Sequence, residues 1–298
     1  MTARAPTGPR EMSRAGRAAW VREIVILLAA APSVAAQGLG GPTPLPGSTR
    51  EAGLAGAGVA LLGDAGALFA NPAAIAAIRR VAVEASYEPY TGGAAFGSAA
   101  AALRIGPVTW GVGALTLQQP AGASTAPSDV LGVSGLVARF GLLAVGSSLK
   151  YVEQTTDGVT TTAGAADVGA AIALFDIFAF GASVQNLGGS FLDRCTRVGF
   201  TMNYVDPQGT ARLLTTFEGQ WLAGVKPVLV GGVEGGVVAR GIGLVARVGV
   251  RGEATPTPAQ PFTLGAGLEL GGLHLDYAYQ GYAAPNVPRH RVGMRWTP

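Results

Sequence analysis

Residues 289–297 read RHRVGMRWT, and this short tract shows the pattern that decides the fold. Val292, Met294 and Trp296 fall on one side of an extended chain, and the residues between them, Arg295 among them, fall on the other. Successive side chains of a β-strand point to opposite faces, so a period of two predicts a strand with one apolar and one polar face.

About fourteen tracts of this kind follow one another from Val81 to Trp296, each near ten residues long. Strands of about ten residues span a bilayer when they are tilted in a closed barrel. The predicted strands cover residues 81–90, 94–104, 108–118, 130–140, 142–153, 163–174, 177–187, 197–205, 211–221, 227–238, 242–252, 261–270, 272–281 and 289–297.

The connections between these strands alternate in length. Those after strands two, four, six, ten and twelve are tight, and those after strands three, five, seven, eleven and thirteen are longer. Outer-membrane barrels have short periplasmic turns and longer external loops. The sequence therefore predicts an integral outer-membrane β-barrel of a diderm bacterium, with both termini in the periplasm. A soluble two-sheet sandwich is the structural alternative, because its strands alternate as well.

The composition fits such a barrel. Hydrophobic residues make up 49% of the 298 residues and charged residues 13%, with 46 glycines; the mean hydropathy is +0.36. A soluble domain usually has about 25% charged residues. The longest apolar run, residues 24–36, is interrupted by Pro32 and is too short for a spanning helix of about 18 residues.

The N-terminus has the pattern of a secretory signal peptide. Arginines precede the apolar run 24–31, and the small residues 34–36 precede Gln37, which predicts cleavage after Ala36. Translation starts at Met1 or at Met12. The predicted organisation is a signal peptide over residues 1–36, a linker and plug segment over 37–80 and a transmembrane barrel over 81–298.

The charge balance and the rare reactive residues exclude several functions. The first 36 residues hold five of the 21 basic and two of the 18 acidic side chains, which leaves 16 of each sign and no basic patch for nucleic acid. Cys195 is the single cysteine, so it forms neither an internal disulfide nor a cysteine metal site. The two histidines, His274 and His290, are assigned to opposite faces of their strands. The sequence predicts no enzyme: no catalytic residue, cofactor or metal site.

The alternation assigns faces to the strands. Phe178 and Phe180 alternate with Gly181 and Ser183, so the aromatic face suits lipid and the other face suits a polar interior. Charges on the predicted interior face form a lattice in which opposite signs mostly lie on neighbouring strands, and Glu84 is placed to meet Arg295 where the barrel closes. The lattice comprises Glu84, Glu234, Arg247, Arg251, Glu269, Asp276, Arg291 and Arg295. We interpret it mainly as a set of salt bridges that fill the lumen, with a ligand-guiding or catalytic role as the alternative.

The segment before the first strand has a different character. Residues 53–80 read GLAGAGVALLGDAGALFANPAAIAAIRR, with helical stretches that we expect Gly63, Gly66 and Asn71-Pro72 to interrupt. Asn71 is a candidate cap and Pro72 a candidate first residue of a helix over 73–78. The glycines follow no strand and have no later acidic partner, which argues against a nucleotide-binding loop. We expect a compact plug, with Asp64, Asn71 and Pro72 as its marker residues.

Several motifs occur in a fixed order along the chain. They are the small-residue stretch 53–77 with Asp64-Ala65 and Asn71-Pro72-Ala73, Leu149-Lys150-Tyr151, residues 182–188 (ASVQNLG), residues 275–279 (LDYAY) and His290-Arg291-Val292. Together they resemble the PorV/PorQ family of outer-membrane proteins, which is related to the FadL-type channels for hydrophobic compounds. The resemblance implies a fourteen-stranded FadL-like barrel whose N-terminal segment occupies the lumen.

The same resemblance supplies the functional expectation. In some PorV/PorQ members the barrel is associated with type IX protein secretion, so the chain is expected to be a shuttle or scaffold for protein export or surface attachment. The alternative is a FadL-like channel for small hydrophobic molecules. The expected partners are outer-membrane lipid, together with secreted proteins, components of the secretion machinery or a small hydrophobic ligand.

Overall fold

The computed structural model describes residues 45–90, 93–118, 128–156, 158–205, 210–224, 226–252, 261–281 and 288–298. The predicted signal peptide, both candidate start residues and most of the linker lie outside these residues. Within the described ranges, no helix has the length and apolar character needed to cross a membrane.

A closed antiparallel β-barrel forms from the fourteen strands that these residues contain, so the predicted fold class is confirmed. The predicted strand ends agree with the observed ones to within four residues. The strands are β1 Val81–Pro89, β2 Ala95–Ile105, β3 Val108–Gln118, β4 Ser128–Phe140, β5 Leu143–Thr156, β6 Val159–Leu174, β7 Phe178–Leu187, β8 Cys195–Asn203, β9 Ala211–Leu222, β10 Val228–Ala239, β11 Ile242–Arg251, β12 Phe262–Leu270, β13 Leu273–Gln280 and β14 Arg289–Trp296.

Each strand pairs with its neighbours in sequence, and the barrel closes where β1 meets β14. Val83 lies opposite Trp296 in that pair, and Tyr87 lies opposite Val292. Closure leaves no strand edge unpaired, which is the condition for a sheet to cross a bilayer.

The two ends of the barrel differ. At one end, which we name the turn end, tight turns follow β2, β4, β6, β10 and β12, and glycines such as Gly106 and Gly271 adopt positive φ there. The connections after the odd-numbered strands lie at the opposite end, the loop end. β1 starts and β14 finishes at the turn end. The predicted longer connections 119–129, 253–260 and 282–288 lie mostly outside the described residues.

One predicted long connection is wrong. Residues 154–162 were expected to form a loop, but β5 and β6 continue through this region until Thr156 pairs with Val159. The reason is the local composition: threonines favour strands, and Asp-Gly at 157–158 is a two-residue hairpin sequence. Thr155 and Thr160 share a hydroxyl hydrogen bond of 3.0 Å across the hairpin.

The outer face of the barrel is apolar. Phe178 and Phe180 are exposed on β7, and their rings continue into Phe200 on β8 and Phe217 on β9 with centroid distances of 5.4 to 6.5 Å. Gly181 and Ser183 face inwards, as the alternation predicts. The exposed apolar side chains make this face suitable for lipid contact.

Residues 45–80, hereafter the plug, lie inside the barrel and contain short helices. A single α-helix turn, α1 (Thr49–Gly53), starts at Ser48, whose Oγ accepts hydrogen bonds from two backbone amides. Two 3₁₀ helices follow, Ala65–Phe69 and Pro72–Ala77. The second replaces the α-helix expected over 73–78; Asn71 caps it and Pro72 is its first residue.

Gly66 lies inside the first 3₁₀ helix rather than interrupting it, because its backbone amide binds a side chain of the barrel wall. Its amide donates a 2.9 Å hydrogen bond to Glu84 Oε2. A Cβ atom at this position would lie 2.7 Å from the same oxygen, so a glycine is needed for the approach.

Asn71 connects the plug to β6 of the barrel. Its Nδ2 donates to Val59 O at 2.8 Å and to Ala170 O on β6 at 3.1 Å, while its Oδ1 accepts from the Ala73 amide. The side chain fits because Gly169 leaves space: a Cβ there would be 2.1 Å from Asn71 Oδ1.

We predict that Asn71→Ala lowers the free energy of unfolding by about 3 kcal/mol, because two buried carbonyls lose their donor and the helix loses its cap. Guanidinium unfolding of the barrel in lipid vesicles measures the change. Asn203→Ala is the matched control, since Asn203 makes an exposed bond to Asp176 O. Equal stability losses for the two variants would contradict this role of Asn71.

Candidate functional site: a plugged lumen with two unlike walls

A closed ring of six charged side chains ties the plug to one side of the barrel. We name it the ring network; it consists of three arginines and three carboxylates, so its charges balance. Two members come from the plug and four from strands. They are Arg50, Asp64, Glu234 of β10, Arg247 of β11, Asp276 of β13 and Arg295 of β14.

Every neighbouring pair in the ring network is in hydrogen-bond contact. Asp64 accepts from Arg50 at 2.9 Å and from Arg295 at 2.6 Å. Asp276 accepts from Arg295 and from Arg247 at 2.7 Å each. Glu234 accepts from Arg247 at 2.6 Å and from Arg50 at 2.8 Å, which completes the circuit.

The electrostatics of Asp64 follow from this geometry. Burial raises the pKa of its carboxyl, but the guanidinium groups of Arg295 and Arg50 outweigh that effect and hold the pKa below its ordinary value. The ionised carboxylate is therefore the form that the folded chain stabilises.

A second charged cluster lies nearer the loop end. Arg197 on β8 donates to Glu51 Oε1 of the plug at 2.8 Å and to Glu218 Oε1 on β9 at 2.6 Å. The amides of Gly58 and Val59 donate to the other oxygen of Glu218, at 2.8 Å each. Burial raises the pKa of Glu51, and Arg197 offsets part of that shift.

The remaining lattice residues are buried or partly buried and face inwards, with separate partners. Arg291 donates to Glu88 Oε2 at 2.6 Å and lies over the ring of Phe96 at 4.3 Å. Arg251 donates to Gln220 Oε1 at 3.0 Å. The last predicted member, Glu269, accepts from Arg212 and lies 3.1 Å from His274 Nδ1.

Glu84 departs from its expected partner. It lies opposite Arg295 in the β1–β14 register, but Arg295 binds Asp64 and Asp276, and Glu84 Oε2 accepts from the Gly66 amide instead. Asp64 of the plug therefore binds Arg295 where Glu84 was expected to bind it.

Sequence reasoning missed several charged residues of this wall. No role was predicted for Arg50 and Glu51, although two adjacent charges in an otherwise uncharged segment indicate that they have partners. Arg197 and Glu218 were not predicted either, although the alternation places each of them on the inward face of its strand. On the other side of the barrel, Lys150 of β5 and Asp167 of β6 form another buried pair that was not predicted, at 2.8 Å.

The opposite wall corrects the expectation of a polar interior. The inward residues of β2 to β6 are mostly apolar, and we name this surface the apolar wall. The apolar wall packs against Leu68, Phe69 and Ile75 of the plug in one buried cluster. The wall side chains of that cluster are Phe96, Ala100, Ala102, Leu115, Leu117, Leu131, Val133, Val137, Ala144, Val152, Ala165 and Ala171.

A cavity of about 560 Å³ lies at the turn end, beneath the plug. Its apolar surface includes Ala144, Ala171 and Ala173 from the apolar wall and Ala73 and Ala76 from the plug. Pockets for small molecules commonly have volumes of about 300 to 1,000 Å³ and mainly apolar linings. The cavity adjoins the apolar wall on one side, and Arg50 and Glu234 of the ring network line its other side.

Arginines line the outer part of the same cavity. Arg104 and Arg139 point inwards from the ends of β2 and β4. Each donates its Nε–H to a carbonyl of the adjoining turn at 3.0 Å. Arg79, near the end of the plug, lines the same cavity. Among the described residues, no three His, Cys, Asp or Glu side chains come together as a candidate metal site.

Comparison with solved structures finds channel proteins that share the fold of this barrel. The CymD monoaromatic hydrocarbon channel superposes with a TM-score of 0.60 at 12% identity, over 84% of this chain and 97% of that one. The Pseudomonas putida toluene transporter TodX gives a TM-score of 0.57 at 9% identity, over 83% of this chain and 96% of that one. At these identities the likeness establishes the fold.

No protein-family model matches the chain. No curated protein matches its sequence either. The solved structures support the barrel fold that the FadL-like resemblance implies. The PorV/PorQ assignment is not confirmed.

We predict that Asp64→Asn lowers the free energy of unfolding by about 3 kcal/mol at pH 7, because it removes one charge from a buried ion-pair network. The pKa of Asp64 is lower in the folded chain than its unfolded value of about 4, so the unfolded chain binds the additional proton on acidification. The stabilisation is complete above about pH 5 and is lost as the pH falls through 4 towards the folded-state pKa.

Guanidinium unfolding of wild type and Asp64→Asn at pH 7 and pH 3 measures this effect. The difference between the two proteins should shrink at pH 3, while Asp176→Asn, an exposed control at the turn end, should differ little from wild type at either pH. A difference of the same size at both pH values would show that the charge of Asp64 is not what stabilises the plug.

Proposed function

We propose that this chain is an outer-membrane channel for small hydrophobic molecules, held closed by its plug. The observation that carries the proposal is the apolar wall, which runs from Phe96, Leu117 and Val152 near the loop end to the cavity at the turn end. The hydrocarbon channels with the same fold support this substrate class.

The two walls have different parts in this proposal. Ion pairs and charge-assisted hydrogen bonds hold the plug against β8 to β14, where separation would leave buried charges without partners. Apolar packing holds Leu68, Phe69 and Ile75 against the apolar wall. Hydrogen bonds join the plug to the two outermost strands of that wall, from Ser98 of β2 to Gly47 O and from Asn71 to Ala170 O of β6. An apolar solute can replace such packing with its own contacts, so the route for transport lies between the plug and the apolar wall.

The plug fills this route in the conformation described, so transport requires the plug side chains that face the apolar wall to move while the ring network stays in place. Leu68 is fully buried, and it packs close to Gly111 and Gly135, where a Cβ would lie 3.3 and 3.0 Å from its methyl groups. Leu68 is thus a principal obstruction in the middle of the route.

The proposed orientation follows the length of the connections. Short turns are typical of the periplasmic side of outer-membrane barrels, so the turn end and its cavity face the periplasm and the loop end faces outwards. No catalytic role is part of the proposal.

The export role expected from the PorV/PorQ resemblance has no support from the comparisons, whose matches include a hydrocarbon channel and a toluene transporter. Affinity purification from the outer membrane tests it separately. Recovery of defined secretion-machinery components with the wild-type barrel would favour export over transport.

Uptake of labelled toluene tests the channel proposal. Diderm bacteria without other hydrocarbon channels should accumulate toluene faster when they carry this barrel than when they do not. Leu68→Ala should accelerate uptake further, because it opens a void in the middle of the route.

Leu136→Ala is the matched control on the lipid-facing side of β4, where Leu136 is 57% exposed. Its uptake should equal that of wild type. Equal toluene accumulation with and without the barrel, at equal surface expression, would contradict the proposal.

A further inference from the structure

A β-bulge near the loop end changes the path of β7. Ala166 pairs with Leu187, but Val168 pairs with Val184, so β7 has one more residue than β6 over this interval. Asn186 lies in the bulge with a φ of +62°. Asparagine is among the few residues other than glycine that tolerate this backbone conformation.

The bulge presents Asn186 to a buried ion pair. Lys150 Nζ donates to Asn186 Oδ1 at 3.0 Å and lies 2.8 Å from Asp167 Oδ2. The backbone amide of Asn186 donates to Asp167 Oδ1 at 2.9 Å. The side chains of Lys150 and Asp167 are 6% and 0% exposed, so this polar group interrupts an otherwise mostly apolar wall.

The same asparagine holds the connection between β7 and β8. Asn186 Nδ2 donates to Asp193 O at 2.8 Å. Next to that bond, Leu192 turns inwards, is 6% exposed and joins the buried cluster of the apolar wall. A Cβ at Gly189 would lie 3.0 Å from Leu192 Cβ and 3.4 Å from Ala165 Cβ, so the connection lies directly against β6.

We propose that residues 188–194 are the gate at the loop end of the hydrophobic route, with Leu192 as its closing side chain and Asn186 as its latch. This inference rests on the proposed function for its substrate, whereas the movement of the gate is testable without one. Lys150 and Asp167 are the fixed groups to which the latch binds. When the bond from Asn186 to Asp193 breaks, Leu192 leaves the cluster and uncovers Ala165 and its neighbours on the apolar wall.

The chain contains its own reporter of gate opening. Cys195 is the single cysteine, it directly follows residues 188–194, and it is 2% exposed in the closed form. A membrane-impermeant maleimide should label it slowly in wild type. Asn186→Gly keeps the backbone conformation and removes the side-chain bonds, so it should raise the labelling rate about tenfold.

Leu192→Ala should also accelerate labelling, because it removes the closing side chain, and it serves if Asn186→Gly folds poorly. Leu149→Ala, a lipid-facing change beside Lys150 at a residue that is 71% exposed, is the matched control and should label at the wild-type rate. Wild-type labelling rates in both Asn186→Gly and Leu192→Ala would overturn the gate, as would an equal increase in the control.

A reversible lock tests whether the gate controls transport. The Cβ positions of residues 189 and 165 are 3.4 Å apart, close to the range of about 3.5 to 4.5 Å for a disulfide. Gly189→Cys with Ala165→Cys, in a Cys195→Ser background, should lose toluene uptake when oxidised and regain it on reduction. The two single-cysteine variants should respond to neither treatment.

Uptake that is equally fast in the oxidised and reduced lock would overturn the gate. If wild type transports no toluene but labelling of Cys195 accelerates in Asn186→Gly, the proposed substrate is wrong and the gate stands.

Discussion

The structure depends on the burial of charge inside a barrel that crosses lipid. Arg50 and Asp64 bring one charge of each sign into the lumen, and four inward residues of β10 to β14 complete a neutral ring around them. Removing a charge from water costs several kcal/mol, and the cost is recovered only when partners and geometry are good. Every carboxylate in the ring network has two arginine partners, which fixes the position of the plug and with it the shape of the lumen.

The asymmetry of the lumen follows from that constraint. Most of the charged contacts of the plug occupy one side, and contacts on the other side are mostly packing between apolar residues. Apolar packing is non-directional, and it tolerates the exchange of one apolar partner for another. In the proposed route, a hydrophobic molecule passes on the apolar side while the ring network keeps the plug attached. The cavity at the turn end and the gate proposed at residues 188–194 are the two ends of that route.

The barrel could be predicted from the sequence because its evidence is local. Period-two alternation repeats along the chain, and β3 was predicted to the residue. Asp-Gly between threonine-rich segments also predicts a hairpin, and this local signal accounts for the strand pairing found where a loop was expected at residues 154–162. The inward parity of Glu234, Arg247, Asp276 and Arg295 was equally readable from their own strands.

The division of the lumen could not be predicted in the same way. On β2, residues 95–105 read AFGSAAAALRI, with small apolar side chains on both faces, so alternation does not reveal which face is interior. The contact between Asp64 and Arg295 joins residues 231 positions apart, and nothing local to either residue specifies it. The plug also took the place of the pairing expected between Glu84 and Arg295.

Crystals of the barrel soaked with bromobenzene test the central claim, that the route lies on the apolar side of the plug. The anomalous signal of bromine locates the solute directly. We expect bromine sites between the plug and β2 to β6 and in the cavity at the turn end. Sites confined to the charged side, around Arg197 and Arg247, or a lumen without any site, would contradict the account.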